Sequence, residues 1–327
     1  MAIYGKKQVH IREDNKSAVV DLLLKSQASM PEMSVKLGLS HTSLAKVVNE
    51  LMQKNIVVPV DYDTSAFGRP SKVYGINGDC AISCAIVNFV DKIYVYYFDM
   101  RGFQINEKVF VNDLDGINSL IDKVIDAVYD LKEHPRLKSK ILKYIYVGIP
   151  NNGLYGESFN DCKKVFLNSF SSVFKDIRVL VQHNSDYEMI AEKKYGSLKN
   201  GEKNAVLVSF EDTVSASIMI HKEVYFGDEQ KHGEFTCGIK EGDGYTEEKL
   251  RSVFKELSYL LSFMDICNVV ISGKVKERGE EVLAIAKSVL GKKINVKISL
   301  MGQDVPSALS GAVWLAVYST LQELMHR

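Results

Sequence analysis

Between residues 15 and 53 the apolar positions fall into three short helical periods separated by turn signals. Asn15 is a candidate N-cap for a helix carrying Val19, Val20, Leu23 and Leu24. Ser29-Met30-Pro31-Glu32 has the pattern of a capping box with proline early in the helix, Met33 and Leu37 form an i,i+4 apolar pair, and Gly38 supplies a stop. Ser40 then caps a third helix in which Leu44, Val47, Val48 and Leu51 recur at three- and four-residue spacing. Three such helices can share one small core, which is what a helix-turn-helix needs for burial. The free flank of the third helix carries Thr42, Ser43, Lys46, Asn49 and Gln53. With Ser40 at its start, that flank offers hydroxyl, amide and cationic groups suited to phosphate oxygens and base edges in a major groove. An ordinary amphipathic helix would show the same stripe; the helix and tight turn before it favour the DNA-reading interpretation.

Past this helix, residues 56–60 read as a strand, residues 61–65 as a polar tip and residues 72–76 as the returning strand, a winged hairpin. The return begins Gly68-Arg69-Pro70-Ser71-Lys72, where proline stiffens the arm and Arg69, with Lys72 close behind, can be presented to a narrow minor groove. The alternative for Arg69 is a solvated loop charge. Residues 1–77 are therefore expected to form a DNA-binding domain and residues 78–327 a larger one.

From Asp79 onward strands alternate with helices. Residues 81–88 and 92–99 read as a hairpin closed by Met100-Arg101-Gly102. Further strands are expected at 141–149, 177–182, 205–209, 217–220, 269–272 and 294–297, and helices at 116–132, 247–263 and 305–323. Such alternation over about 250 residues argues an α/β architecture in two lobes.

Composition narrows the classes. A chain of 327 residues with 46% hydrophobic and 25% charged content is that of a globular protein. It lacks an apolar run of the roughly 18–20 residues that span a bilayer and a signal-peptide apolar core, so a cytoplasmic location without a membrane partner is expected. The five cysteines are scattered without a CxxC pair, pointing to reduced thiols rather than disulfides or a sulfur-rich zinc site. Net charge is zero, yet residues 1–77 hold ten Lys/Arg against seven Asp/Glu, and the basic excess agrees in sign with phosphate contact.

Gly38-Leu39-Ser40, Asn49-Glu50-Leu51, Gly68-Arg69-Pro70, Phe98-Asp99-Met100-Arg101-Gly102, Val147-Gly148-Ile149-Pro150, Ala191-Glu192-Lys193-Lys194-Tyr195-Gly196, Val270-Ile271-Ser272-Gly273 and Leu309-Ser310-Gly311-Ala312 occur in this order. In order and spacing they resemble the ROK family of transcriptional repressors, over nearly the whole chain. The resemblance implies an α/β chain with a winged helix-turn-helix followed by a two-lobed sugar-kinase-like domain of the actin and hexokinase fold. Family kinases open that domain with an Asp, a Gly pair and a Thr that cradle phosphate, whereas the aligned positions here are Val87, Phe89, Val90 and Asp91. Backbone N–H groups cannot reach phosphate past Phe and Val, and Asp91 adds like-charge repulsion. The second phosphate loop is Glu211-Asp212-Thr213-Val214-Ser215-Ala216-Ser217, with two added carboxylates. The catalytic base aligns with Asn184, whose amide oxygen is almost non-basic; a shifted alignment would offer Asp186 instead. Gly233-Glu234-Phe235-Thr236-Cys237 keeps the family's sugar-holding Glu but places Cys237 where the zinc-binding His would be, and no cysteine cluster follows. No metal and no cofactor are expected, His232 reads as a polar loop residue and Cys237 as a small buried thiol.

The resemblance leaves Asn151, Asn152, His183, Asn184 and Glu234 as candidate contacts for a sugar or sugar-phosphate effector; the alternative is that they cap strand ends. The expected function is a non-enzymatic, sequence-specific regulator, a repressor of sugar-metabolism genes that binds a double-stranded operator as a homodimer or higher homo-oligomer. The alternatives are an ATP-dependent ROK sugar kinase with an added winged helix, and a DNA-bound scaffold whose second domain takes no small molecule.

Overall fold

A computed structural model of the chain describes residues 8–63, 71–211, 213–227, 232–235, 244–302 and 305–326. The first elements are α1 (Gln8–Leu23), β1 (Ala28–Ser29), α2 (Met30–Leu37), α3 (His41–Gln53), β2 (Val57–Asp63) and β3 (Ser71–Ile76). Leu44, Leu51 and Met33 are fully buried and Val47 and Val48 almost so, packed with Val19, Val20 and Leu23 of α1. Each such side chain contributes about 1.5–3 kcal/mol by leaving water. Glu32 accepts from the Ser29 N–H at 2.7 Å, and Gly38 ends α2 at φ 65° with open space where a Cβ would sit. That glycine is required by the backbone conformation rather than by crowding. The antiparallel order β1-β3-β2 makes the wing sheet, with a bulge between Pro59 and Asp61. Helix α1 starts well before Asn15, which is an interior residue instead of the expected cap. Arg12 pairs with Glu50 of α3 at 2.6 Å, and Lys16 binds both Glu13 and Glu50, so contacts with α3 hold polar turns that carry no apolar period of their own.

The larger part begins with β4 (Ile82–Asn88), β5 (Lys92–Asp99), β6 (Gln104–Val111), α4 (Ile117–Lys132), β7 (Leu142–Ile149), α5 (Phe159–Val173), β8 (Arg178–His183) and α6 (Asn184–Lys194). Their sheet has the order β6-β5-β4-β7-β8, with β4, β7 and β8 parallel. Every residue of β4 is buried because both faces are covered. Ile82, Cys84 and Ile86 pack with residues of α4 and α5, whereas Ala85 and Val87 face a final long helix. A second sheet, order β11-β10-β9-β12-β13, comprises β9 (Ala205–Phe210), β10 (Val214–Ile220), β11 (Glu223–Tyr225), β12 (Asn268–Gly273) and β13 (Asn295–Ile298). Helices α7 (Glu247–Met264) and α8 (Gly279–Leu290) cover one face of it, and Met189 of α6 packs on the other.

Helix α9 (Ser307–His326) joins the parts. At 20 residues it is about 30 Å long. A Cβ on its Gly311 would lie 1.9 Å from the Tyr187 carbonyl, so α6 and α9 meet backbone to backbone. At its other end Leu321 and Met325 belong to the same apolar cluster as Val19 and Leu44. There Lys54 donates to the Met325 carbonyl at 2.5 Å, and His326 lies 3.1 Å from Glu13.

Two expectations need correction. Met100-Arg101-Gly102 does not close the first hairpin; it turns β5 into β6, while residues 89–91 close β4 to β5. Strand β6 was not expected because it is an edge strand, largely exposed and polar, with no clean alternation.

Candidate DNA-reading face and a closed cleft

Helix α3 presents the flank read from the sequence. Ser40 accepts from the Ser43 N–H at 3.2 Å, fixing the start of the helix. Thr42, Ser43, Lys46, Asn49 and Gln53 are all exposed, opposite the buried Leu44, Val47, Val48 and Leu51. Lys46 and Asn49 make no side-chain hydrogen bond with a described residue, which leaves their donors directed to solvent. Lys72 is exposed on β3, and directly opposite it in the ladder is Tyr62, 58% exposed. Tyr62 was not singled out from the sequence, although an aromatic on the outer face of a wing strand is a usable signal. Arg69, with Gly68 and Pro70, lies outside the described residues.

The candidate effector contacts gather where the two sheets meet, and among the described residues they do not surround an open pocket. Asn184 begins α6 and donates to the Asn88 carbonyl at 2.8 Å, while Asn88 donates to the Gly148 carbonyl at 2.9 Å. A Cβ at Gly148 would be 2.4 Å from the Asn184 Oδ1, so that seat exists only over a glycine. Asn151 is buried: its Oδ1 accepts from the Ser185 hydroxyl at 2.9 Å and its Nδ2 donates to the His232 carbonyl at 3.4 Å. Asn152 is exposed and accepts from Thr213 at 3.4 Å. The His183 ring is fully buried, stacked on Phe159 at 3.8 Å and edge-on to His232 at 4.9 Å. Glu234 is exposed, its backbone bridged to Ser215.

His232 lies in a turn, as expected of a loop residue, but its side chain is buried rather than solvated. Its side chain is 6% exposed, with Nε2 3.0 Å and 3.1 Å from the two Asp186 oxygens, and Asp186 also accepts from Ser217 at 2.7 Å. Gly233 permits this arrangement at φ 79°, since a Cβ there would meet the Ala216 carbonyl at 1.8 Å. Asp186 is thus enclosed among its partners and does not line the space between the lobes. That space is about 20 Å³, bounded by Phe89, Asn151, Asn184, Glu188, Ser209 and Glu211 among others. It holds about one water molecule, against the ~300–1,000 Å³ of ordinary ligand pockets.

The Phe89 N–H, which would have to face phosphate, donates to the Lys92 carbonyl at 2.8 Å in a tight hairpin turn, and the Phe89 ring packs edge-on against Tyr94. Glu188 is buried beside the cavity; burial pushes its carboxyl up, against hydrogen bonds from Ser272, Ser209 and Ser307 and the charge of Lys276. Glu211 adds a second carboxylate to the lining. Among the described residues no group of three metal-ligating side chains occurs, and Cys237 lies outside them. Cys80, Cys84, Cys162 and Cys267 are free thiols. No helix among the described residues is long and apolar enough to cross a membrane.

No protein-family profile and no curated protein matches the chain. Solved structures do. A ROK family transcriptional regulator, described as a homologue of the E. coli Mlc protein, superposes at TM-score 0.68 and 12% identity over 97% of this chain and 100% of that one. The fold is the ROK fold. A ROK hexokinase from Thermus thermophilus matches at TM-score 0.54 and 14% identity over 73% of this chain and 99% of the hexokinase. A ROK glucokinase from Streptomyces griseus, solved with glucose and AMPPNP, matches at 0.53 and 14% over 72% and 99%. Regulators and kinases share the ROK fold, so the fold by itself does not separate them.

Proposed function

We propose that the chain is a sequence-specific DNA-binding regulator in which a non-catalytic ROK-type body, residues 78–327, carries a winged helix-turn-helix, residues 1–77. The observation that carries this reading is the α3 flank, where Thr42, Ser43, Lys46 and Asn49 are exposed on a helix anchored by four buried apolar residues, Ser43 being held by Ser40 at the helix start. Ser40 and Ser43 at the helix start contact phosphate, Lys46 and Asn49 reach base edges, and Arg69 and Lys72 of the wing follow the adjacent groove. Two such modules in a homodimer would read two half-sites about one helical turn, or a multiple of it, apart. Transcriptional regulation agrees with the regulator among the structural neighbours, and repression of sugar-metabolism genes is the form of it that the ROK resemblance implies.

The kinase reading is disfavoured at three places: Asn184 for the base, Phe89 in the first phosphate turn, and Glu188 with Glu211 in the cleft. The small cleft argues that Asn151, Asn152, His183 and Asn184 act in packing the lobes rather than in holding a sugar in this conformation, while Glu234 is exposed. The test is recovery of genomic fragments by the purified protein, followed by footprinting with Lys46→Ala and Arg69→Ala. Protection of a defined site, weakened in both variants, is expected. Full binding by both variants overturns the assignment of the face, and ATP-dependent phosphorylation of a hexose overturns the non-catalytic reading.

A further inference from the structure

A larger cavity lies where the winged module meets the body. About 660 Å³ in volume, it is enclosed by the end of α1, the last turn of α6 with the segment after it, and α9. Five lysines line it, Lys25, Lys193, Lys194, Lys199 and Lys222, against two carboxylates, Asp21 and Glu202. Glu202 is already engaged by Lys297 at 2.8 Å, and Lys193 lies 3.4 Å from Glu223. Lys25, Lys199 and Lys222 are exposed and form no side-chain hydrogen bond or ion pair with a described residue. Lys194 is half-buried, its ammonium 3.5 Å from the centre of the Trp314 ring, whose other neighbour is Tyr318, stacked at 4.8 Å. Burial, with Lys193 and Lys25 nearby, brings the Lys194 ammonium down to about 8, although Asp21 and Glu223 oppose the shift. Positive charge has therefore been gathered here beyond what the surrounding residues neutralise, in a space of ligand size.

A second cavity of about 440 Å³ shares Leu24, Tyr195 and Trp314 with the first and is mainly apolar. The pair thus offers a cationic end and an apolar end. We propose that this junction binds a phosphorylated small molecule, its phosphate held by Lys25, Lys194, Lys199 and Lys222 and its uncharged part lying against Leu24 and Tyr195. Lys25 follows α1 whereas the other lysines belong to the body, so the ligand ties the DNA-reading module to the rest of the chain. Bound this way, it fixes one placement of the reader and shifts operator affinity through the difference in ligand affinity between placements. That regulatory consequence rests on the DNA-binding reading; the site itself does not.

Trp314 is the chain's single tryptophan, so its emission reports the site in the full-length protein. Glucose 6-phosphate, AMP, glucose, adenosine and inorganic phosphate are titrated and followed by fluorescence and calorimetry. A saturable response is expected to glucose 6-phosphate or to AMP, whichever supplies the right uncharged part, and not to glucose, adenosine or phosphate alone. Lys199→Gln/Lys222→Gln weakens it at least about tenfold by removing charge-assisted hydrogen bonds. The charge-matched Lys255→Gln/Lys287→Gln, on the exposed sides of α7 and α8, leaves it unchanged. No response to either phosphorylated probe at millimolar concentration overturns the proposal. So does equal binding of inorganic phosphate, or equal weakening in both double variants. Saturable probe binding by a protein that retains no genomic DNA sustains the junction site while removing the regulator reading.

Discussion

Asn184→Asp is the substitution that would restore a carboxylate at the position of the kinase base, and the structure argues that it damages the protein instead. The Asn184 Nδ2 donates to the Asn88 carbonyl at 2.8 Å, and the side chain is 6% exposed. An ionised Asp would set an oxygen against that carbonyl oxygen, losing one hydrogen bond and stranding a buried acceptor, about 1–3 kcal/mol. Alternatively the carboxyl keeps its proton and donates, at about 1.4 kcal/mol for each pH unit by which its pKa must rise. The second route needs a rise of about three units at pH 7, about 4 kcal/mol, so the first sets the loss there at roughly 1–3 kcal/mol. The sign of the pH dependence follows. With its pKa raised by folding, the variant's folded state holds a proton that the unfolded state has released above about pH 4, so its deficit against the parent shrinks below that and grows upward. Urea unfolding of both proteins from pH 4 to 8, with a coupled ATP-hexose assay alongside, measures this. A variant within about 0.5 kcal/mol of the parent across the range, or one that gains phosphoryl transfer, refutes the reasoning.

Lys46→Ala is expected to cost about 1–3 kcal/mol of operator binding, tenfold or more, with no change in unfolding midpoint, as read by footprinting and urea titration. Gly311→Val places a Cβ 1.9 Å from the Tyr187 carbonyl, so α9 must separate from α6. A lowering of the melting temperature by many degrees is expected, and a silent variant would contradict the backbone contact. Lys194 gives the opposite pH sign to Asn184→Asp. Its folded pKa is about 8 against an ordinary 10.5, so the unfolded state binds the extra proton between those values. Parent stability relative to Lys194→Gln should rise from pH 8 to 10, and affinity for a phosphorylated probe should fall over the same interval. Paired urea titrations and calorimetry at pH 7, 8, 9 and 10 check both.

Helix α3 was legible in the sequence because everything that sets it is local: Ser40 as cap, Gly38 as stop and an apolar period facing one core. The α1 boundary was not, because Arg12 and Lys16 hold its first turns through Glu50, far along the chain. The alternating strands and helices marked the larger fold, and the edge strand β6 escaped only because its exposed residues lack a period. At the cleft, the family resemblance implied the missing phosphate glycines but not the closure. That closure depends on Asn151 reaching His232 and on Asp186 meeting both His232 and Ser217, pairings that no local spacing encodes. The lysines of the junction come from the turn after α1, the end of α6, the segment after α6 and the β10–β11 turn, so their convergence is visible only in three dimensions.

Helix α9 also imposes an order of assembly. Residues 8–76 leave the ribosome early, yet their apolar cluster is completed by Leu321 and Met325, which arrive on the order of tens of seconds later at about 5–20 residues per second. During that interval the nascent module holds an uncovered seam, a natural landing place for a chaperone. The apolar cluster shared by the two parts is complete only when α9 has been made.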